Sequence, residues 1–386
     1  MANTPKIRFK NFSDEWVESR LGELGETYSG LSGKTKNDFG RGNARYITYL
    51  NVFSNSIADI KLTEPIEKDE KQNQVKFGDV LFTTSSETPN EVGMSSVWLG
   101  NFQNCYLNSF CFGYRLTQKI NHYYLAYLLR SENIRNKIIL LAQGISRYNI
   151  SKNKMMDISI SIPNLTEQEK IGAFFSKLDK LISLHQSKFE KLQKIKKSCL
   201  QNLFPQNNQN TPKIRFKNFS DEWVENKLGD TIISIPFKAY LANAEKIGNY
   251  PVIQQGDIPI AGYSNQEPFL DFCNVVLFGD HTLSLYNPKS PFLLASDGIK
   301  ILSAKNLYDD FLFQLLKKYM PKSEGYKRHF SILKNICFYY PNSEEQEKIG
   351  AFFSKLDKLI ALHQSKFEKL QKIKKSCLQN MFVWVL

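Results

Sequence analysis

The chain has 386 residues, of which 51 are Lys or Arg and 38 are Asp or Glu, so its net charge is +13 and its isoelectric point is about 9.2. This length allows two or three domains with real cores, and a hydrophobic content of 42% excludes a wholly disordered chain. The excess positive charge favours a polyanionic partner such as nucleic acid, with a soluble and highly charged surface as the alternative.

The cysteines and the apolar runs indicate where the protein works. Its six Cys residues show no CxxC spacing, which predicts reduced thiols rather than disulfides or a zinc site. No apolar run approaches the ~20 residues that cross a bilayer, and the first residues do not resemble a charged-then-apolar leader. We therefore expect a cytoplasmic protein with no membrane partner.

Two blocks of the sequence occur twice. Residues 4–18 recur unchanged as 211–225, at an offset of 207. Residues 167–204 recur as 345–382 at an offset of 178, with only two differences. The stretches between the blocks do not repeat, so the order along the chain is shared, variable, shared, variable. This order predicts a common scaffold that carries two different heads.

The heads are the variable regions, 22–164 (the first head) and 229–342 (the second head). Short apolar segments predict strands at 46–52, 79–83, 275–278 and 292–294, and helical patterns lie at 123–130 and 311–318. This mixture predicts an α+β fold. Two weak matches, 77–79 with 278–280 and Arg147 with Arg328, indicate that both heads share one fold with different loops. The predicted boundaries are 1–164 and 207–342 for the two head domains, 165–206 for the first long helix, and 343–386 for the second helix and its tail.

Each head is followed by a long amphipathic helix. Thr166 with Glu169, and Ser343 with Gln346 in the second copy, have the spacing of capping boxes. At ~1.5 Å per residue such a helix forms a rod of roughly 54 Å. The link 205–210 is short and polar, so the second helix meets the first only by running antiparallel to it; the alternative is that each helix covers its own domain. The predicted coiled-coil contacts are Ile171, Phe174, Leu178, Leu181, Leu192, Ile349, Phe352, Leu356, Leu359 and Leu370.

Sequence motifs for catalysis are incomplete. Gly33-Lys34-Thr35 ends like a phosphate-binding loop, but Tyr28 stands where that loop requires Gly. The Asn-Pro-Pro-Tyr that would hold a flipped adenine is missing, and Asp69-Glu70-Lys71 lacks the Pro-Asp partner of a nuclease site. The five His residues are scattered, so no metal site is indicated. The pattern favours a protein that binds and does not catalyse.

Basic, amide and hydroxyl side chains on the predicted loops are the candidates for DNA contact. Arg and Lys pair with guanine, and Asn and Gln pair with adenine. In the first head the candidates are Lys34, Lys36, Asn37, Arg41, Asn43, Arg45, Tyr46, Ser85, Ser86, Arg147 and Tyr148. In the second head they are Gln254, Gln255, Tyr263, Asn265, His281, Lys327, Arg328 and His329.

The repeated blocks resemble those of a known family. The segment KIRFKNFSDEWVESRLGE before the first head, and the duplicated helix start Glu-Gln-Glu-Lys-Ile-Gly at 167–172 and 345–350, resemble the specificity subunit of bacterial Type I restriction-modification enzymes. The resemblance covers essentially the whole chain. It implies two target recognition domains that each read half of a split double-stranded DNA sequence, and paired helices that act as spacer and docking surface.

The resemblance also implies what the chain leaves to its partners. Two modification subunits would methylate adenine with S-adenosylmethionine, and restriction subunits would use ATP and Mg²⁺. The chain itself would be non-catalytic, without a cofactor, and would work in the bacterial cytoplasm.

The predicted geometry has a consequence for the target. A rod of roughly 54 Å spans about 16 base pairs, and because the heads overlap its ends we expect an unread gap of about five to eight. A two-headed DNA-binding regulator or architectural protein, or a scaffold that joins two protein partners, remains as an alternative from the residues alone.

Overall fold

The computed structural model describes residues 4–206, 209–325 and 327–383. It divides into two compact units. Unit 1 joins the described residues up to His185 with those from Lys366 onward, and unit 2 runs from Gln186 to Ser365. Each unit therefore contains one head, the first part of the helix that follows that head, and the last part of the other long helix.

Unit 1 builds its head from three layers of short strands and helices. Its strands are β1 Val17–Arg20, β2 Gly25–Ser29, β3 Phe39–Ile47, β4 Thr63–Ile66, β5 Val80–Thr83, β6 Ser85–Ser86, β7 Ser95–Val97, β8 Cys105–Leu107, β9 Cys111–Leu116, β10 Tyr148–Asn149 and β11 Ser159–Ile162. Its helices are α1 Leu21–Leu24, α2 Tyr49–Ser54, α3 His122–Leu128, α4 Glu132–Leu140, α5 Lys152–Met156 and the start of α6 Leu165–Asn202. The sheets have the orders β2-β9-β5-β7 and β4-β3-β8, with two-stranded pairs β1-β11 and β6-β10.

The central strand β5 shows how the layers are held. Successive side chains of a strand point to opposite faces. Val80 and Phe82 pack into the main core with Tyr124 of α3, whereas Leu81 packs on the other face with Trp98. All of these side chains are buried, so the four-stranded sheet has helices on one side and the second sheet on the other.

Unit 2 repeats this plan with shorter loops. Its strands are β12 Val224–Lys227, β13 Ile232–Ile235, β14 Tyr250–Ile253, β15 Ile260–Ser264, β16 Val276–Gly279, β17 Leu285–Tyr286, β18 Leu293–Leu294, β19 Ile299–Ala304 and β20 Cys337–Tyr340. Its helices are α7 Leu228–Thr231, α8 Asp309–Lys318, α9 Phe330–Lys334 and the start of α10 Ser343–Asn380. The sheets have the orders β13-β19-β16-β17, β15-β14-β18 and β12-β20, which match those of unit 1.

The strand registers correct the predicted alignment of the heads. Val80 pairs with Tyr114 in the first head, and Val276 pairs with Leu302 in the second. Residues 80–82 and 276–278, both Val-Leu-Phe, are thus equivalent at an offset of 196. The predicted match of 77–79 with 278–280 is wrong by five residues, although the shared α+β fold that it indicated is confirmed. The predicted strand 46–52 is also wrong in its second half, because Thr48 accepts a hydrogen bond from the Asn51 amide and starts α2.

The repeated blocks contact each other inside each unit. Arg8 donates two 2.7 Å hydrogen bonds to the buried Glu167 carboxylate, and Arg215 makes the same pair with Glu345 at 2.8 Å. The strand pairs β1-β11 and β12-β20 join the end of the first block of each unit to the last strand of its head. The two copies stayed nearly identical because each must fit the other block of its own unit.

Both long helices have 38 residues, and their N-termini differ from the predicted capping boxes. The side-chain oxygen of Asn164 accepts the Glu167 amide at 3.0 Å, and Asn342 accepts the Glu345 amide at 3.0 Å. Thr166 already lies inside α6. The helices begin earlier than predicted because an Asn immediately after a Pro provides the cap.

Within each unit the helix segments run antiparallel, as predicted. In unit 1 Lys374 forms a 2.6 Å ion pair with Asp179, and in unit 2 Lys196 pairs with Asp357. The four residues are related by the repeat offset of 178. Ile171, Leu178, Ile349 and Leu356 are buried as predicted, whereas Leu181 and Leu359 are 38% and 45% exposed. Their assignment to the helix contacts is wrong, because the seam passes through the half-buried positions beside them. The other predicted contacts are half-buried: Phe174, Leu192, Phe352 and Leu370.

The end of α10 completes the core of unit 1. Phe382 is buried and stacks on Phe175 at 5.7 Å between ring centroids. Phe204, its counterpart at the end of α6, is buried in unit 2 and stacks on Phe311 at 5.6 Å. The apolar end of the sequence after residue 381 therefore belongs to this core as far as Val383, and residues 384–386 lie outside the described residues.

Candidate nucleic-acid interface

The basic loop of the first head is largely occupied by its own contacts. Lys34 forms a 2.7 Å ion pair with Asp69, and this hydrogen bond raises the pKa of Lys34 and is the main cause that lowers the pKa of Asp69 to about 2. Arg41 pairs with Glu67 at 3.1 Å on the exposed surface. Two of the predicted DNA-binding cations, Lys34 and Arg41, therefore form ion pairs within the head.

Arg45 and Tyr46 of β3 have structural roles. Arg45 donates to the Thr63 hydroxyl at 2.6 Å, and the Tyr46 hydroxyl donates to the Glu64 carboxylate at 2.6 Å. Burial, aided by that hydrogen bond, raises the pKa of Tyr46 to about 12. Both side chains clamp β3 to β4, and their positions do not support the predicted contact with DNA.

The exposed candidates of this loop lie in and beside a bulge in β3. Phe39 and Ala44 both pair with Ile66, so residues 40–43 protrude between them. Gly40 and Gly42 have φ angles of +81° and +100°, which side-chain-bearing residues rarely adopt. In the described part of the chain, three exposed side chains here have no hydrogen-bond or ion-pair partner: Lys36, Asn37 and Asn43.

A second group of candidates in the first head converges on a cleft, here called the α2 cleft. Ser86 of β6 pairs with Tyr148 of β10, and the Tyr49 hydroxyl of α2 donates to the Ser85 carbonyl at 2.8 Å. These contacts bring together segments that are far apart in the chain. The resulting cavity has a volume of about 410 Å³ and is lined by Tyr49, Leu50, Phe53, Ser85, Ser86, Glu87, Glu91, Phe110 and Arg147.

The second head gathers part of its candidates at the corresponding place. The His281 amide donates to the Gln255 side-chain oxygen at 3.2 Å. Gln254 instead bonds the Ile258 carbonyl at 2.9 Å and holds its own turn. On the neighbouring strand β15, Tyr263 is 40% exposed, and Asn265 after it is exposed and accepts the Asn249 amide at 3.0 Å.

The last three candidates of the second head lie next to one another but differ in exposure. His329 is 0% exposed; its Nε2 accepts the Glu324 amide at 3.1 Å, so its Nδ1 donates to the Asp280 carbonyl at 3.0 Å. This position does not support the predicted DNA contact of His329. Lys327 and Arg328 are exposed and pair with acidic neighbours at 3.2 and 3.6 Å.

Comparison with known proteins decides what these two heads are. The family model described as the type I restriction modification DNA specificity domain matches residues 13–196 and again 220–372. Each match contains one head and most of the helix that follows it. The chain belongs to this family. Its heads are therefore DNA specificity domains, and the predicted sequence-specific DNA-recognition protein of a restriction-modification system is confirmed.

Relatives of the whole chain have the same assignment. The protein assigned as the MjaX type I restriction enzyme specificity subunit of Methanocaldococcus jannaschii is 24% identical over 97% of this chain and 94% of its own. The crystal structure of the type I restriction-modification S subunit from M. genitalium superposes with a TM-score of 0.70 at 18% identity and covers 99% of this chain and 100% of that one. A structure from a study of complex assembly and conformational transition of the type I R-M system has a TM-score of 0.50 at 17% identity, with coverage of 94% and 96%.

Backbone hydrogen bonds show that Arg147 and Arg328 do not occupy equivalent positions in the two DNA specificity domains. The Ile150 amide bonds the Thr84 carbonyl at 3.0 Å, and the His329 amide bonds the equivalent Asp280 carbonyl at 2.9 Å. Arg147 lies three residues before this bond and Arg328 only one. Their predicted equivalence is wrong, although both remain exposed candidates for DNA contact.

No pattern in the sequence predicts the apolar part of the α2 cleft. Leu50 and Phe110 are 70% and 53% exposed, yet Leu50 lies in the predicted strand 46–52, and Phe110 was not among the predicted site residues. Arg147 lies over the Phe110 ring, with 5.6 Å between its Cζ and the ring centroid. Exposed apolar side chains of this kind can be identified only when the fold is known.

Two half-buried arginines position the walls of the α2 cleft. Arg130 donates to the carbonyls of Ser95, Val52, Phe53 and Asn55 at 2.7–2.9 Å, which holds the end of α2. Arg135 does the same for the carbonyls of residues 90, 92 and 93, next to Glu91. Burial lowers the pKa of both guanidinium groups to about 10. The cleft is thus supported by charge-assisted hydrogen bonds.

The described residues also limit what else the DNA specificity domains contain. Among them, no group of three or more His, Cys, Asp and Glu side chains is arranged to hold a metal ion. Within the same residues, no helix has the length and apolar character required to cross a membrane.

Proposed function

We propose that this protein reads its DNA target in two parts, one with each head, as the specificity subunit of a type I restriction-modification complex. The observation that carries the proposal is that one chain contains the DNA specificity domain twice, with the same framework contacts and different exposed side chains. The net charge of +13 supplies the attraction to phosphates that sequence-independent binding requires. Two different readers in one chain suit a target with two unlike halves.

We further propose that each unit docks one modification subunit through its long helices. Unit 1 exposes Leu181, Leu184 and Ile373 on these helices, and unit 2 exposes the equivalent residues Leu359, Leu362 and Ile195. Exposed apolar patches mark protein–protein interaction sites. Two equivalent surfaces suit two copies of one partner, and the restriction subunits would join the complex through them or beside them.

The chemistry belongs to those partners in this proposal. The chain would be non-catalytic and would hold no cofactor, while S-adenosylmethionine, ATP and Mg²⁺ would act in the modification and restriction subunits. The incomplete catalytic motifs of the sequence support this division. A gap of about five to eight unread base pairs, from the length of the helices, stays a prediction.

A head exchange tests the two-part target. Residues 22–164 would be replaced by the first head of another member of the family, and the recognised sequence would be determined from bound DNA selected from a random duplex library. We expect one half of the sequence to change and the other to stay. The reciprocal exchange of residues 229–342 is the matched control and should change only the other half. If either exchange altered both halves in a folded protein, reading by independent heads would be refuted.

A further inference from the structure

The two heads share part of the backbone framework around the α2 cleft but differ there in side chains and loop length. The Thr84 amide bonds the Phe110 carbonyl at 2.9 Å, and the Asp280 amide bonds the Gly298 carbonyl at 2.8 Å. These bonds fix the equivalence of Phe110 with Gly298. Glu87 lies in a loop that is longer in the first head: the Thr83 amide bonds the Met94 carbonyl and the equivalent Gly279 amide bonds the Ser284 carbonyl, so ten residues of the first head stand against four of the second. The framework is therefore constant where a large aromatic ring is exchanged for a hydrogen atom, and beside it the first head has an additional loop that carries a carboxylate.

Two charged groups of the α2 cleft have no partner of their own. Arg147 and Glu87 are both exposed at the cleft. In the part of the chain that the structure describes, neither side chain has a hydrogen-bond or ion-pair partner, and Arg147 lies over the face of Phe110. The cations of the β3 loop differ, since Lys34, Arg41 and Arg45 are engaged with neighbouring side chains. Unpaired donors and acceptors are the groups that are available to a ligand.

The cleft also presents apolar surface beside these charges. Leu50 and Phe110 are exposed, and behind them Tyr49 and Phe53 stack with 5.9 Å between ring centroids. The Tyr49 hydroxyl is committed to the Ser85 carbonyl, so this wall offers ring faces rather than further donors. An arginine, a carboxylate and apolar groups together match the three kinds of feature on the major-groove edge of DNA: acceptors, amino groups and the thymine methyl group.

We propose that the α2 cleft is the base-reading site of the first head, in which Arg147 donates to a guanine and Glu87 accepts from the amino group of a nearby cytosine. This inference rests on the proposed function and names the residues that specify one half of the target. Leu50 and Phe110 exclude water from these contacts and meet the base edges or methyl groups beside them. The exposed Lys36 and the bulge of β3 contact the phosphate backbone and do not select bases.

The rigid support of the cleft strengthens this assignment. Specific readout requires side chains held in fixed positions, because each good bidentate pair discriminates only when its geometry is correct. Arg130 and Arg135 act as positioning residues, since they fasten α2 and the loop of Glu91 by hydrogen bonds to seven backbone carbonyls. Glu91 is itself held by the Thr88 hydroxyl at 2.8 Å and so belongs to the support.

The test is a sequence selection with the complete complex purified from cells that make it. The wild type, Arg147→Ala and Glu87→Gln would each be incubated with a random duplex library, and the bound DNA would be sequenced. We expect Arg147→Ala to bind the wild-type target ~10- to 100-fold more weakly and to lose guanine preference at one position of one half. Glu87→Gln should change preference from cytosine towards adenine at a position of the same half.

The second half of the target is the internal control and must stay unchanged in both variants. Lys36→Ala is the matched control in the first head, because it should weaken binding of all sequences alike and reduce the salt slope by about 1 without changing the motif. If both cleft variants keep the wild-type motif and affinity, or if only Lys36→Ala alters the motif, the assignment is overturned. If the wild type itself selects no two-part sequence, the proposed function fails instead, so the two failures are distinguishable.

Discussion

The ion pair between Arg8 and Glu167 should be essential to the stability of unit 1. The Glu167 side chain is 0% exposed and accepts two hydrogen bonds from Arg8, each at 2.7 Å. The Arg8 side chain is 13% exposed. Removal of one partner from a buried pair typically costs 3–5 kcal/mol, because it leaves the other charge buried and unpaired. Loss of the Arg8 side chain also opens a path for water to the carboxylate, so we expect Arg8→Ala to lower the free energy of unfolding by about 3 kcal/mol.

The assay is chemical denaturation combined with hydrogen exchange resolved by peptide, which separates the two units. Arg8→Ala should reduce protection in unit 1, and Arg215→Ala, its repeat counterpart, should reduce it in unit 2 by a similar amount. Lys68→Ala is a control, since its ion pair with Glu70 is exposed and should not matter measurably. If Arg8→Ala were as harmless as Lys68→Ala, the argument from the buried carboxylate would be refuted.

Three further predictions concern the ends of the helices, an acidic side chain and the helix length. Phe382→Ala should destabilise unit 1 by ~3–4 kcal/mol, and Phe204→Ala should do the same to unit 2, measured by denaturation; equal loss in both units from either change would contradict this. Burial, together with the charges of two neighbouring aspartates, raises the pKa of Asp309 to about 6 from 3.8. The folded protein therefore binds this proton more tightly than the unfolded chain does, and its stability falls as the pH rises from about 4 to 6. Asp309→Asn should therefore stabilise unit 2 at pH 7 by about 1 kcal/mol and flatten its stability across that range; an unchanged pH profile would refute the cause. Insertion of four residues into both helices, at Phe189 and Phe367, should lengthen the unread gap by one or two base pairs, read from methylated positions in a random-gap library; an unchanged gap in an active complex would show that the helices do not set the spacing.

The scaffold was predictable from the sequence because its contacts join copied residues. Near-identity of two blocks implies that each must satisfy the same neighbours, and the structure contains those neighbours as the pairs Arg8–Glu167 and Arg215–Glu345. Helical periodicity predicted both long helices, and the short link 205–210 predicted their antiparallel pairing. The caps were missed because Thr166 with Glu169 and Asn164 with Glu167 offer the same spacing, and only the backbone shows which one starts the helix.

The reading surface was only partly predictable, since residue type alone does not show whether a side chain is engaged. Lys34 and Arg45 have the chemistry of DNA contacts, but neighbours supplied by distant parts of the chain occupy them. His329 is polar and yet buried, because two backbone groups satisfy its ring. Leu50 is the opposite case. Its apolar side chain predicts burial, but α2, which begins after Thr48, exposes it to solvent.

The two units contain different segments of the chain, and they are therefore completed at different times during synthesis. Unit 2 is one continuous stretch of chain, whereas unit 1 needs the segment from Lys366, in which the Asn380 carbonyl accepts the Ile7 amide and Phe382 enters the core. At ~5–20 residues per second, a ribosome adds that segment tens of seconds after it has finished the first head. The hydrophobic core of unit 1 therefore remains incomplete while the second head is synthesised. Loss of the chain from about residue 370 onward would therefore destabilise the unit that contains the first head and leave the second unit intact.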